Sequence, residues 1–241
     1  MNKFCLICAS VACLSFFSSC NKSETENHGF ALVYPGISGS FLFADQVEDS
    51  LKFQTFDSYE AYVYNADWIT ITAGASYDVS YDPYNLYTFK ALLALTPNTT
   101  GKTRYGQVRV NNYGNTYGPL YFQYGFLNIN NPVPTPHYSE ELGGTVPESA
   151  TFELKVAADA TTDSICFTVA NPWTLEFSEG ADHTWLTLDK TSGDKNHNNV
   201  TVRFTPNTDV VNDRSTSVVL KSGEVSNVIT VKQLKKEEEN N

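Results

Sequence analysis

Residues 185–193 read WLTLDKTSG, 200–208 VTVRFTPNT, 214–222 RSTSVVLKS and 228–234 VITVKQL. Apolar and polar residues alternate through these runs, the period of a strand with one buried face. A worn copy precedes them: ADWITIT at 66–72, FKALLALTPNT at 89–99, RYGQVRVNN at 104–112 and YFQYGF at 121–126. Arg104 to Gln123 is nineteen residues, and so is Arg214 to Gln233. The tetrad Thr-Pro-Asn-Thr stands ahead of each Arg, at 96–99 and at 205–208. One domain occurs twice in tandem.

Both copies read as all-β. Short alternating runs are separated by turn residues at Gly143-Gly144, Asn171-Pro172, Ser192-Gly193 and Ser222-Gly223, and no window sustains a helical period. About seven strands per ~100 residues is the content of an immunoglobulin-like β-sandwich. A domain of that size buries a sufficient core without disulfides. Sandwich 1 is expected over residues 30–130 and sandwich 2 over 138–235. Between them, residues 131–137 hold three prolines and are predicted to form a stiff, extended linker. Residues 236–241 form a polar, frayed tail.

The first residues carry an address. Lys3 supplies a positive start, and residues 4–17 are an apolar run too short to span a bilayer. The run ends in Phe17-Ser18-Ser19-Cys20, small residues before a cysteine, as in an export signal. This resembles a bacterial lipobox. Residues 1–19 are then a signal peptide, Cys20 the lipidated mature N-terminus, and 20–29 a polar tether. The membrane is engaged through the lipid alone, at the outer membrane or cell surface. Of the five cysteines only Cys166 remains in the folded part, so neither an intramolecular disulfide nor a cysteine metal site is expected.

The second copy resembles the BACON domain, the carbohydrate-binding-associated module of gut-bacterial lipoproteins and glycosidases. The resemblance rests on Trp173 and Trp185, Ser192-Gly193, the tetrad at 205–208, Arg214 and the terminal strand through Gln233. The first copy shares Trp68, the tetrad at 96–99, Arg104 and Gln123. The resemblance implies a sandwich fold, binding of glycans such as mucin or polysaccharide, and no catalytic residues.

The residues themselves point to no reaction. Gly101-Lys102-Thr103 lacks the upstream glycine of a phosphate loop, since position 96 is Thr. Asp194, Asn196 and Asn198 start like a calcium loop but lack its glycine and its closing glutamate. His28, His137, His183 and His197 each sit in a polar turn without a second ligand at metal spacing. The expectation is therefore no enzyme, no metal and no cofactor. A net charge of -11 also disfavours nucleic acid as a partner.

The aromatic residues carry the functional signal. Thirteen of the fourteen tyrosines precede the proline-rich segment. Register carried over from the second copy turns Gly106, Val108, Val110, Tyr121 and Gln123 to the core. It turns Tyr105, Gln107, Arg109, Phe122 and Tyr124 outward, where the second copy has residues such as Ser215, Ser217 and Lys232. A turn at Gly114-Asn115 would set Tyr105 opposite Tyr124 and Gln107 opposite Phe122. Sugar rings stack on flat aromatics while amides and guanidinium groups hold their hydroxyls, so this face is a candidate glycan platform. Tyr77, Tyr81 and Tyr84 would form its rim. The same face could instead pack on segment 74–87, on the second domain, or on a protein partner in a surface glycan-uptake complex. A purely structural spacer is the alternative function.

Overall fold

The computed structural model describes residues 30–36, 39–55, 58–78, 87–139 and 144–237. The signal peptide, Cys20 and the tether lie outside the described residues, as do Tyr81 and Tyr84. Strands account for all regular structure there, and no helix occurs among the described residues.

Sandwich 1 runs through β1 (Phe30–Tyr34), β2 (Ser40–Leu42), β3 (Glu48–Thr55), β4 (Tyr59–Tyr64), β5 (Ile69–Asp78), β6 (Tyr87–Leu95), β7 (Arg104–Asn112), β8 (Asn115–Tyr117) and β9 (Leu120–Gln123). One sheet has the order β1-β3-β6-β5; the other is β2-β9-β7-β4, with β8 paired to β7. Period-two alternation drives the two sheets together. Leu51 and Phe53 of β3 and Ala91, Leu93 and Leu95 of β6 meet Leu42, Val108, Val110 and Tyr121 from the facing sheet in one buried cluster.

Sandwich 2 runs through β10 (Asn128–Ile129), β11 (Pro132–Ser139), β12 (Gly144–Val156), β13 (Thr162–Val169), β14 (Trp173–Phe177), β15 (Leu186–Leu188), β16 (Ser192–Gly193), β17 (Asn196–Phe204), β18 (Arg214–Ser222) and β19 (Val225–Gln233). Its sheets are β10-β13-β17-β15 and β11-β12-β19-β18-β14-β16. Trp173, Leu175, Val218, Leu220, Ile229 and Val231 pack against Ile165, Phe167, Val200 and Val202.

One polar set recurs in both sandwiches. Arg104 bonds the Gln123 amide oxygen through Nε (3.0 Å) and Nη2 (2.7 Å) and lies 4.7 Å over the Trp68 ring. Arg214 does the same to Gln233 (3.0 and 2.8 Å) and lies 4.7 Å over Trp185. Each glutamine amide then donates to loop carbonyls, Gln123 to Phe43, Ala44 and Gln46, and Gln233 to Ala158 and Ala160. The tetrad asparagines Asn98 and Asn207 are buried and donate to the carbonyls of residues 124 and 234. Burial of these side chains is sustained because their donors and acceptors are met.

Two expectations are corrected. Residues 131–137 were expected as a free linker, yet 132–137 lie within β11, which pairs antiparallel with β12 from Pro132↔Phe152 to Ser139↔Gly144. An edge strand has unpaired donor positions to its outer side, so proline is tolerated there. Sandwich 2 also starts earlier than residue 138, because Asn128 and Ile129 pair with Thr168 and Phe167 of β13.

The sandwiches, expected to be held apart, share a junction. Ala44, Phe126, Leu127 and Ile129 belong to the core of sandwich 2. Asp45, on the β2–β3 connection of sandwich 1, is fully buried. Its Oδ2 accepts from Ala170 N (2.7 Å), Asn171 N (3.3 Å) and Ser222 Oγ (2.6 Å). The Leu127 amide donates to Asn227 Oδ1 at 2.8 Å, and the Thr103 hydroxyl donates to the Pro147 carbonyl.

Candidate functional site

The outer face of the β2-β9-β7-β4 sheet collects the aromatic residues. Gly106, Val108 and Val110 of β7 point inward, so Tyr105, Gln107 and Arg109 point outward. The same alternation turns Phe122 outward on β9, with Tyr124 just beyond the strand. On β4, Tyr59, Ala61 and Val63 pack on the core and leave Tyr62 and Tyr64 on the outer side. On β2, Ser40 and Leu42 are buried and Phe41 projects out.

Backbone register builds a row of rings across three strands. Phe41 pairs with Phe122, and Phe122 with Tyr105. The Phe41 and Phe122 rings stack at 5.0 Å between centroids, Phe41 and Tyr124 at 6.1 Å, and Tyr105 lies 6.5 Å from Phe122. The corresponding row in sandwich 2 is Lys155, Lys232 and Ser215. Next to the row, the Arg109 guanidinium lies 3.4 Å from the Tyr64 ring centroid, and Arg109 Nε donates to Gln107 Oε1 at 2.8 Å. A Cβ at Gly118 would stand 2.8 Å from Arg109 Cγ, so the glycine leaves room for that arginine.

The register differs from expectation by two residues. Tyr105 faces Phe122, not Tyr124, and Gln107 faces Leu120, not Phe122. The turn is Tyr113-Gly114, both at positive φ (47° and 78°), with Asn112 paired to Asn115. Because both shifted partners keep the same parity, every expected face is retained.

Exposure redistributes the roles. Phe122 is only 8% exposed, stacked between its strand neighbours Phe41, which is 54% exposed, and Tyr105. Tyr124 stacks on Phe126 at 5.1 Å and packs against the core of sandwich 2. Burial pushes its hydroxyl above the ordinary pKa of a tyrosine, keeping it neutral. Tyr77 belongs to β5 in the opposite sheet, its backbone paired with Phe89. The exposed rings of the face are thus Phe41 and Tyr64 (40% exposed), with Tyr62, Tyr105, Gln107 and Arg109 half-buried between them. Phe41 and Tyr64 were missed in the sequence; the strand parity of the repeat holds the signal for Phe41, since Leu42 and Val156 pair alike with Gln123 and Gln233.

A cleft of about 30 Å³ in sandwich 2, beside Asn130, Glu153, Ser164 and Cys166, has room for little more than water. No group of three His, Cys, Asp or Glu is arranged to hold a metal among the described residues.

Comparison with known proteins bears on sandwich 2. Residues 174–234 match the BACON family model, described as "Putative binding domain, N-terminal". No curated protein matches the chain. Among solved structures, an endo-fucoidan hydrolase of glycoside hydrolase family 107 (MfFcnA4, H294Q) aligns over 86% of this chain and 29% of its own, at 12% identity and TM-score 0.29. Titin A168–A169 aligns over 83% and 95% (12%, TM-score 0.28), and domains 5–6 of the S-layer protein SbsC over 86% and 100% (8%, TM-score 0.28). The chain spans under a third of the fucoidan hydrolase, and scores this low attach none of those proteins' properties to it. The match runs from Thr174 within β14 to the end of β19, so the chain contains a BACON domain in the later part of its second sandwich.

Proposed function

We propose that this chain is a non-catalytic bacterial lipoprotein, tethered at the outer membrane or cell surface through Cys20, that captures glycans on the outer face of sandwich 1. The observation that carries the reading is Phe41, a ring more than half exposed and seated flat on Phe122. An isolated exposed phenylalanine is ordinary. One backed by a second ring, with Arg109 and Gln107 on the same face, offers a rigid apolar plane beside hydrogen-bond donors. That pairing suits a sugar, whose ring has an apolar face and a polar rim. The Arg109 Nη groups have no hydrogen-bond partner among the described residues and are available to hydroxyls. The matched family, described as a binding domain, supports a binding role in general terms.

A glycan array probed with full-length protein in detergent tests the reading. Binding that falls with Phe41→Ala, with only a small loss of stability, is expected; an array with no binding would refute it. The anchor is tested separately. Cys20→Ser should move the protein out of the detergent phase, and unchanged partitioning would sink the lipoprotein assignment.

The second reading is a structural spacer or a protein-interaction subunit of a surface complex. The buried Asp45 junction favours it, because it fixes one sandwich against the other as a spacer requires. Glycan binding by the face decides between the two.

A further inference from the structure

Phe41 and Tyr64 are the two most exposed rings of the outer face, and they stand on its opposite edges. The sheet order is β2-β9-β7-β4, with Phe41 on β2 and Tyr64 on β4. Three strand spacings of about 4.8 Å separate them, roughly 14 Å across the sheet. Register adds an offset along the strands, since Phe41 aligns through Phe122 to Tyr105 while Tyr64 pairs with Gln107. Between the two ends lie Phe122, which stacks on Phe41, and the Gln107–Arg109 pair, which sits on Tyr64.

Resting on the glycan reading above, we propose that this face takes an extended, neutral oligosaccharide chain, crossing the strands and held at two ends, one on Phe41 and one on the Tyr64–Arg109 stack. A single sugar reaches only one of the two. Spanning roughly 14 Å needs a chain of about three or more sugar units. Neutrality follows from the charges. The protein carries a net charge of -11, which opposes a polyanionic chain. Arg109 is the single cation on the outer faces of β4 and β7, where exposed Glu60 accompanies it on β4. Its guanidinium is held over the Tyr64 ring and bonded through Nε to Gln107, with exposed Glu60 on the neighbouring strand to oppose an anion. Sandwich 2 shows the contrast, with Lys155 and Lys232 side by side at the row's equivalent position.

Two linked contacts make affinity depend on chain length, because the second contact forms at high effective concentration once the first is made. The experiment is calorimetric titration of full-length protein with the neutral glycan class found on the array, as a ladder from monosaccharide to about hexasaccharide. A uronic-acid ladder of matched lengths runs beside it. Affinity for the neutral ladder should rise about tenfold or more between two and four units. Phe41→Ala and Tyr64→Ala should each flatten that rise, while Tyr138→Ala, exposed on β11 of sandwich 2, should leave it intact. Affinity that is independent of length, or tighter for the uronic-acid ladder, overturns the two-ended neutral site while leaving glycan capture standing. Loss of the rise in the Tyr138 variant would place the site elsewhere. Binding of no glycan at any length defeats the broader reading itself.

Discussion

The Asp45 carboxylate of sandwich 1 accepts a 2.6 Å hydrogen bond from the Ser222 hydroxyl of sandwich 2, and both residues are buried. The same oxygen takes the backbone amides of Ala170 and Asn171, and the Asn171 side chain donates to the Asp45 carbonyl at 2.6 Å. A short loop of one domain thereby satisfies the end of the other. Asp45→Ala would remove the acceptor of the half-buried Ala170 and Asn171 amides and leave the Ser222 hydroxyl only its 3.2 Å bond to the Asn171 carbonyl, at a cost of roughly 1–3 kcal/mol. Calorimetry should show one cooperative transition for the native chain and two separated transitions for the variant. A variant that melts as the native protein does would mean that the other junction contacts, apolar and hydrogen-bonded, couple the domains without the Asp45 carboxylate.

Trp185 is the pivot of the recurring polar set in sandwich 2. It is 5% exposed, stacks with Phe204 at 6.1 Å, lies under Arg214, and donates through Nε1 to the Asp182 carbonyl at 3.2 Å. Trp185→Ala should cost roughly 3–5 kcal/mol by the usual loss on deleting a buried aromatic. The equivalent Trp68→Ala should behave alike, since Arg104 covers it at the same distance. Chemical denaturation measures both. A cost near zero for either would show that its arginine clamp does not depend on the ring.

Tyr121 links stability to alkaline pH. It is fully buried, its hydroxyl donates to the Ser50 carbonyl at 3.2 Å, and burial raises its pKa far above the ordinary value near 10. A raised folded-state pKa means that the unfolded chain releases the proton more readily. The stability it contributes is whole below about pH 10 and is lost as pH climbs above that value. Tyr124 and Tyr59, raised by burial, add in the same direction. Unfolding free energy should fall from about pH 10 upward, and Tyr121→Phe should fall less steeply. Parallel pH profiles for native and variant would show that Tyr121 titrates normally.

The faces were legible in the sequence because parity survives errors of register. Val108, Val110, Tyr121 and Gln123 are buried as the repeat requires. The pairing was misplaced where turn chemistry was preferred over the repeat. Gly114-Asn115 is the more conventional positive-φ pair, yet the chain turns at Tyr113-Gly114. The nineteen-residue spacing held the answer: Arg214 pairs with Gln233 around Gly223-Glu224, and the same pairing of Arg104 with Gln123 centres on 113 and 114. The junction was not legible. Nothing local distinguishes Asp45 from a solvated loop aspartate, since its partners lie more than a hundred residues away. The proline-rich segment misled for a related reason, because only a neighbouring strand converts an extended chain into β11.

The final prediction separates the two phenylalanines that stack on one another. Phe122 is 8% exposed and lies between Phe41 on one side and Tyr105 on the other, so it supports the face without presenting it. Phe122→Ala should destabilise sandwich 1 by roughly 3 kcal/mol, and binding should suffer as Phe41 loses its backing. Phe41 is more than half exposed and sits on the short edge strand β2. Phe41→Ala should cost well under about 1.5 kcal/mol of stability while removing on the order of 1–2 kcal/mol of glycan binding. Both quantities are measured on the same preparations, by thermal melt and by titration. If Phe41→Ala lowers stability as much as Phe122→Ala and leaves glycan affinity unchanged, the stacked pair is a structural seam, and the spacer reading takes its place.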